Sequence, residues 1–532
     1  MLTDDSAVHT RPEKPVAYLL FVLLTIAILG LHGVQFAGRM YRQDEAWVVH
    51  TALGSLERES LPVLLARNVN HYVAENAALE IWIALFGHTE PVTRYLSALC
   101  TAIGLALLFR LGTDLFDWRV ALLAVFILGA SGFYASHTRE TRPYAALILG
   151  TVGLQLAFLR WMQRPRLRYA LLYGLFGVLT FYAHVFVVYV FAAQAIFFTL
   201  FTRWERRRYV QAGLLFAALG LALIPRLLAA LDFYLSIFPG GIFYAVETDS
   251  SGIEQLYREL QFAFEPLALL LQLAGLILPA ALACPSLRRT SETTPAPWRF
   301  DPGWRKGYVA VLPLAILVVG LAVNQWMRNV TARNLVIILP SAALLMALGL
   351  RAIRPRAVRA LSLLLMLPAA LSAATLSSPN LVAANHPSLW ATSHIAWMSE
   401  TFQAGSRVVI ELPFITQHIP LTYYVQERLP VRVPNADVFH IMRPGQAATY
   451  IYSTGGPGVP VRPVHLALDS DSESLRQFEA FLEDAGEQLW YIGEEAGIFG
   501  APVFRQIIEQ QYQRVRTWGI YAEYRRILPA QR

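Results

Sequence analysis

Apolar runs of about 18 residues or more recur along the first 376 residues, separated by short polar stretches. Each is long enough to cross a hydrocarbon core of about 30 Å. Read by hydropathy, they predict about eleven spans, near 16–36, 91–111, 119–136, 143–162, 168–184, 186–202, 209–231, 264–283, 307–324, 334–350 and 358–376. The stretch 168–202 also parses as one long kinked segment. From about Leu381 the pattern changes. Charge rises, and short strand-like runs appear at Arg407 to Leu412, Thr449 to Ser453, Gln488 to Ile492 and Gly519 to Tyr524. Helix-like stretches, Ser474 to Asp484 and Val503 to Arg514, lie between them. The expected fold class is therefore a polytopic α-helical membrane protein with a C-terminal α/β domain, divided as 1–379 and 380–532.

The polar stretches set the orientation. Arg164, Arg166 and Arg168 share one loop, and Arg203, Arg206, Arg207 and Arg208 share the next on that side. Arg288, Arg289, Arg305 and Lys306 follow, then Arg351, Arg354, Arg356 and Arg359. With the spans above, all four groups fall on the side of the N-terminus. Positive-inside bias places that side in the cytoplasm and the C-terminal domain outside it. The outer side then holds a loop of about 37–90, a tight loop from Ser136 to Pro143, a loop of about 232–263 with the turn Pro239-Gly240-Gly241, and a short loop from Asn324 to Asn334. Within the first of these, Ala78 to Phe86 is apolar but too short to span, and is expected in the interface with Trp82 as an anchor.

Composition agrees. Of 532 residues, 55% are hydrophobic and 15% charged, against about a quarter charged in soluble domains. Mean hydropathy is +0.43. The net charge of +7 sits in inter-span loops, which speaks for orientation and against nucleic acid. Two cysteines, Cys100 and Cys284, lie in or beside apolar runs and build no disulfide framework, zinc spacing or redox motif. The first span follows Arg11 and Lys14 but exceeds a signal-peptide core and lacks a small-x-small cleavage site, so it reads as a retained anchor. The turn Ser453-Thr454-Gly455-Gly456-Pro457-Gly458 matches no phosphate-binding pattern and reads as a loop.

Two outer sites carry chemistry. Asp44 and Glu45 stand just beyond the first span. Loop acids are commonly just solvated, but a carboxylate at the bilayer surface can also serve as general base toward the reactive end of a lipid-carried substrate. In the tight loop, Arg139, Glu140 and Arg142 lie beside His137 and Tyr144. Outer arginines run against the positive-inside bias. A guanidinium fork suits phosphate oxygens, although pairing with Glu140 or Glu45 is the plainer role. Arg328 and Arg333 flank a third outer site, where a snorkelling arginine at a helix end is the alternative. His184 ends the fifth span, where a packed histidine is commoner than a ligand. His71, His137 and His184 form no i, i+4 pair, so no cofactor is required by the residues and a divalent metal is left open. One carboxylate pair and several arginines suit group transfer from an anionic lipid phosphate. One base serves a single displacement; a double displacement needs a nucleophilic carboxylate as well.

These residues resemble the GT-C superfamily of membrane glycosyltransferases, near bacterial relatives of protein O-mannosyltransferases and lipid A aminoarabinose transferases. The resemblance covers roughly 15–376. It rests on Asp44-Glu45, then Leu85-Phe86-Gly87, Glu90, Arg94 and Ser97-Ala98-Leu99, then Arg139-Glu140-Thr141-Arg142-Pro143-Tyr144-Ala145, then Tyr182-Ala183-His184-Val185-Phe186, and Arg333-Asn334-Leu335 leading to Pro340. None is specific alone; their order and spacing together are. The resemblance implies a polyprenyl-phosphate sugar as donor, Asp44 as base with Glu45 beside it, and Arg139, Arg142 and Arg333 on the donor phosphate. Glu140, Tyr144, His71 and His184 are the further substrate-binding candidates. A departure is Asn70-His71-Tyr72-Val73-Ala74-Glu75, where the family often has a His-Pro-Pro-like stretch; this touches the shape of the site and the acceptor.

The expectation is thus a multi-pass transferase of the bacterial inner membrane acting on the periplasmic face. Its acceptor is a hydroxyl or amine of a lipid, an envelope glycan or a protein, and its other partners are membrane lipids. The rival from another class is a flippase moving lipid-linked sugars without chemistry, against which stand the absence of an internal repeat and the surface position of the acids. A catalytically silent relative whose tail recruits envelope partners is a third reading.

Overall fold

In this computed structural model the chain is described over residues 13–33, 73–202, 205–237, 304–327, 330–352, 406–411, 437–442, 461–465, 472–483, 485–493, 502–518 and 521–527, with a few further positions in 41–52 and 398–403. Contacts divide it into two compact units. One is Met1–Ala37 with Leu64–Ala78 and Pro91–Leu381; the other is Gly38–Val63 with Leu79–Glu90 and Val382–Arg532.

The helices of the membrane part are α1 (Glu13–Gly33), α2 (Val73–Phe86), α3 (Glu90–Leu115), α4 (Trp118–Ala130), α5 (Gly132–Thr138), α6 (Tyr144–Gln163), α7 (Leu167–Ala183), α8 (Val188–Phe201), α9 (Arg206–Ile237), α10 (Trp304–Met327) and α11 (Leu339–Ala352). Among the described residues, six segments are long and apolar enough to cross a membrane: Pro15–Gly33, Glu90–Leu115, Tyr144–Gln163, Arg206–Leu228, Trp304–Gln325 and Arg333–Arg351. Their outward surfaces are apolar. On α7, Leu171, Leu175 and Leu179 recur every fourth residue and are exposed, a stripe that hydrocarbon accommodates and water does not. The expected spans at 264–283 and 358–376 lie outside the described residues, as do Pro239-Gly240-Gly241 and Arg328.

The structure corrects one reading here and, for 168–202, agrees with two segments over the alternative parse. The third expected span, 119–136, is a broken one, bent by 72° between α4 and α5. The stretch 168–202 is two helices, α7 and α8, joined by a 3-10 turn at Val185–Val187 rather than one kinked segment.

Helix α6 lies at the centre of the bundle, enclosed on nearly every side. Small residues let its neighbours approach. At Gly150 a Cβ would collide with Thr180, and at Gly153 with Phe176. Gly112 of α3 faces the backbone of Ala121 on α4, where a Cβ would stand 2.9 Å from Ala121 Cα and 3.0 Å from Leu344 of α11. Backbone cannot swing aside as a side-chain end can. Gly112→Ala is therefore expected to cost about 1–3 kcal/mol, from overpacking, and to lower the thermal midpoint of the detergent-solubilised protein. An unchanged midpoint would show that α3 and α4 separate freely.

Polar groups tie the same helices together. The Tyr173 hydroxyl donates to Gln194 Oε1 at 2.8 Å, Tyr308 to the Gln155 carbonyl at 3.1 Å, and Ser341 to Gln155 Oε1 at 3.2 Å. These side chains are fully buried. At the basic end of the bundle, Asp114 accepts from Arg160 at 2.8 Å and from Arg110 at 3.0 Å. Asp117 caps α4 through the amides of Arg119 and Val120 and pairs with Arg351.

Among the described residues, the C-terminal region holds a six-stranded mixed sheet: β1 (Arg407–Glu411), β2 (Asp437–Met442), β3 (Val461–His465), β4 (Gln488–Gly493), β5 (Tyr512–Trp518) and β6 (Tyr521–Arg526). The order is β3-β2-β1-β4-β6-β5, parallel through the first four strands and antiparallel at the β4–β6 and β6–β5 pairs. Helices α12 (Ser472–Glu483) and α13 (Pro502–Gln511) supply Phe478, Phe481, Leu482 and Ile508 to its core. Glu523 is fully buried, and its charge is met on both oxygens: Gln488 donates to Oε1 at 2.9 Å, Arg525 pairs with Oε1 at 3.1 Å, and Arg516 forms an ion pair with Oε2 at 3.1 Å. Here too the sequence reading needs correction. The helix expected over Val503 to Arg514 ends at Gln511, where the chain turns directly into β5. Strands β2 and β3 were not anticipated, and Thr449 to Ser453 lies outside the described residues.

Candidate functional site

The break in the third span creates the site's main loop. At Ser131 the α4 helix stops, and the Ser131 hydroxyl accepts from the Tyr134 amide at 3.2 Å, so the same residue caps the new helix α5. Helix α5 ends at Thr138, which shortens the expected loop Ser136–Pro143 to Arg139–Pro143. The Arg142 amide donates to the Glu140 carbonyl at 2.8 Å, a tight turn. Side chains of α3 clamp that turn from beside it. Ser97 donates to the Glu140 carbonyl at 2.7 Å, and the Thr93 and Thr141 hydroxyls share a bond of 3.0 Å. Pro143 then opens α6, its fixed φ already suited to a helix start.

The loop's side chains are held as firmly as its backbone. Arg139 is buried, and its Nε donates to the Ala135 carbonyl at 2.9 Å. Arg142 is buried as well, with its guanidinium 5.7 Å from the centre of the Tyr144 ring. The Tyr144 ring meets His137 edge-on at 5.2 Å and lies 5.8 Å from His184. His184 ends α7 and turns the chain, accepting from the Phe186 amide through Nδ1 at 3.3 Å. His137 is turned back on its own helix, 2.9 Å from the Phe133 carbonyl and 3.0 Å from the Ser136 hydroxyl. Two buried cations, an aromatic wall and two imidazoles thus share one end of the bundle.

The other candidates fall as follows. Arg333 lies half-buried in a 3-10 helix, Ala332–Ile338, that packs against α6. Glu140 is half-buried in the loop. Glu45 is helical and buried, and belongs to the second compact unit, where the Tyr41 hydroxyl donates to the His88 carbonyl at 2.8 Å. Asp44 and His71 lie outside the described residues. Among the described residues, no group of three His, Cys, Asp or Glu side chains is arranged to hold a metal.

Sequence reasoning passed over Arg226, and gave no role to Arg94, which it quoted only as part of the resemblance. Arg226, after Pro225 inside α9, is buried and within electrostatic reach of Tyr182, two residues from His184. The signal was there: an arginine inside an apolar run demands a polar purpose. Arg94 on α3 is also buried, one residue from the Thr93 that clamps the loop.

Comparisons with known proteins bear on this arrangement. Residues 74–228 match the family described as dolichyl-phosphate-mannose-protein mannosyltransferase. The structure of ArnT from Cupriavidus metallidurans bound to undecaprenyl phosphate superposes with a TM-score of 0.62 at 11% identity, covering 97% of this chain and 99% of that one. This chain has the GT-C fold. The apo structure of the same ArnT gives a TM-score of 0.60 at 12% identity, covering 96% and 98%. A search of curated protein sequences found no match. The stretch matched by the family includes the Arg139–Pro143 loop, the His184 turn and Arg226.

Proposed function

We propose that this GT-C protein transfers a sugar from a polyprenyl-phosphate-linked donor to a hydroxyl or amine of a lipid, an envelope glycan or a protein. The observation that carries the reading is the Arg139–Pro143 loop. It holds two buried arginines, Arg139 bonded to the Ala135 carbonyl and Arg142 against the Tyr144 ring, in a fold shared with a protein solved with undecaprenyl phosphate. In this reading Arg139, Arg142 and Arg333 hold the donor phosphate, and Arg226 joins them. Tyr144, Glu140, His184 and His71 line the sugar and acceptor region.

The reaction is a single displacement. Asp44 takes the proton of the acceptor as its oxygen or nitrogen attacks the anomeric carbon. The bond from that carbon to the phosphate oxygen breaks, and its electron pair leaves with the polyprenyl phosphate. The arginines stabilise the charge developing on that oxygen, so no acid is needed. Glu45 orients Asp44 or binds the acceptor, and the pair could also hold a divalent metal. The site faces the periplasm of a bacterial inner membrane, with the N-terminus in the cytoplasm and residues 380–532 as a periplasmic domain.

The test is transfer from a panel of radiolabelled polyprenyl-phosphate sugars by the purified protein in liposomes. Labelled product supports the reading. Translocation of the labelled lipid across the bilayer with no product overturns it in favour of a flippase.

A further inference from the structure

The outer end of α1 makes one polar contact that the transfer chemistry does not use. His32 is buried, and its Nε2 lies 3.2 Å from the carbonyl of Gly129. Gly129 is the second-last residue of α4, next to the break at Ser131. A carbonyl in the last turn of a helix has no amide of its own helix to accept from, and the 72° bend carries the chain away from the direction a continuing helix would take. His32 donates to that carbonyl from another helix, which requires the proton on Nε2. The approach is close because Gly129 has no side chain. A Cβ there would stand 2.2 Å from Ile28 Cδ1, one turn before His32. The His32 ring also lies 6.2 Å from that of Tyr134 on α5, with Arg139 within electrostatic reach.

We propose that His32 is a positioning residue: its Nε2–H tethers the first span to the broken end of α4, and so sets where α5 delivers Arg139 and Arg142. The inference rests on the reading of those arginines as a phosphate site. The tether acts at the start of α5, upstream of Arg139, while Ser97 and Thr93 of α3 hold the turn further on at Glu140 and Thr141. Without it, α5 retains its Ser131 cap but loses the partner that holds the bend angle.

Reach separates this role from a general need for a polar group. A glutamine amide nitrogen extends about as far from Cα as Nε2 does; an asparagine amide stops short of the carbonyl. The experiment measures two things in the full-length protein for His32→Gln, His32→Asn and His32→Leu. The first is hydrogen exchange over residues 132–138, and the second is binding of undecaprenyl phosphate. The asparagine and leucine variants are expected to exchange about tenfold faster there and to bind about tenfold more weakly, while the glutamine variant behaves as wild type. If leucine prevents folding, the asparagine–glutamine pair carries the comparison, and their thermal midpoints are expected to agree. Equal exchange in the asparagine and glutamine variants overturns the tether. Faster exchange with unchanged lipid affinity overturns the positioning role. Wild-type protein that binds no undecaprenyl phosphate overturns the phosphate reading, and exchange then decides the tether by itself.

Discussion

Asp44→Asn is expected to lower sugar transfer by about a thousandfold or more, in the range that loss of a general base produces, while the variant still binds undecaprenyl phosphate. The substitution keeps size and hydrogen-bonding capacity and removes only the ability to accept a proton. A hydroxyl that keeps its proton is a poor nucleophile toward an anomeric carbon, so the loss falls on kcat. In the proposed function donor affinity rests on the arginines, so it is expected to stay within about twofold, as for a change outside the phosphate contacts. Glu45→Gln is expected to be milder, because a neighbour that orients the base is not itself the proton's destination. Steady-state transfer and lipid binding on the same preparations decide it. Asp44→Asn that turns over at the wild-type rate would remove Asp44 from the chemistry.

Arg142→Ala is expected to weaken undecaprenyl phosphate binding by about a hundredfold, the loss of roughly two charge-assisted hydrogen bonds in a site shielded from water. Arg142→Lys restores the charge without the fork, and its expected deficit is nearer tenfold. The guanidinium's place against Tyr144 gives a second handle. Tyr144→Leu removes the ring that fixes it, and is expected to raise the dissociation constant by about three- to tenfold, the scale of a shielded cation–π contact. Titration with the lipid phosphate at two salt concentrations checks all three. Arg142→Ala binding as tightly as wild type would place the phosphate elsewhere.

Much of the membrane part was readable because long apolar runs have few alternatives in hydrocarbon. Hydropathy averages over a window, however, and the details it averages away are those that build the site. The run Gly129-Ala130-Ser131-Gly132 contains no proline and no charge, so nothing flagged a break, yet Ser131 ends one helix and caps the next. Arg226 vanished into its span because one cation barely moves an average. The clamp on Glu140 and Thr141 comes from Ser97 and Thr93, more than forty positions away, and no local pattern reports such a pairing. In the C-terminal region, Gln511 and Tyr512 mark a helix running straight into a strand. The apolar spacing stayed helical through Arg514 in sequence, but pairing with β6 prevailed over it. The arginine- and histidine-bearing motifs were legible as motifs. Their burial, which turns them from surface charges into a site, is a tertiary property.

The hydrogen bonds at Gln155 also constrain how the molecule is made. Tyr173 and Gln194 are 21 residues apart and can meet as soon as α7 and α8 are inserted. Gln155 is donated to by Tyr308 and Ser341, which follow it by 153 and 186 residues. At ~5–20 residues per second of synthesis, α6 waits in the bilayer roughly 10–40 s before these partners emerge. Through that interval α6 has α7 beside it but neither the Tyr308 donor to its Gln155 backbone carbonyl nor the Ser341 donor to the Gln155 carboxamide. The polar side of α6 is therefore closed only when α10 and α11 arrive.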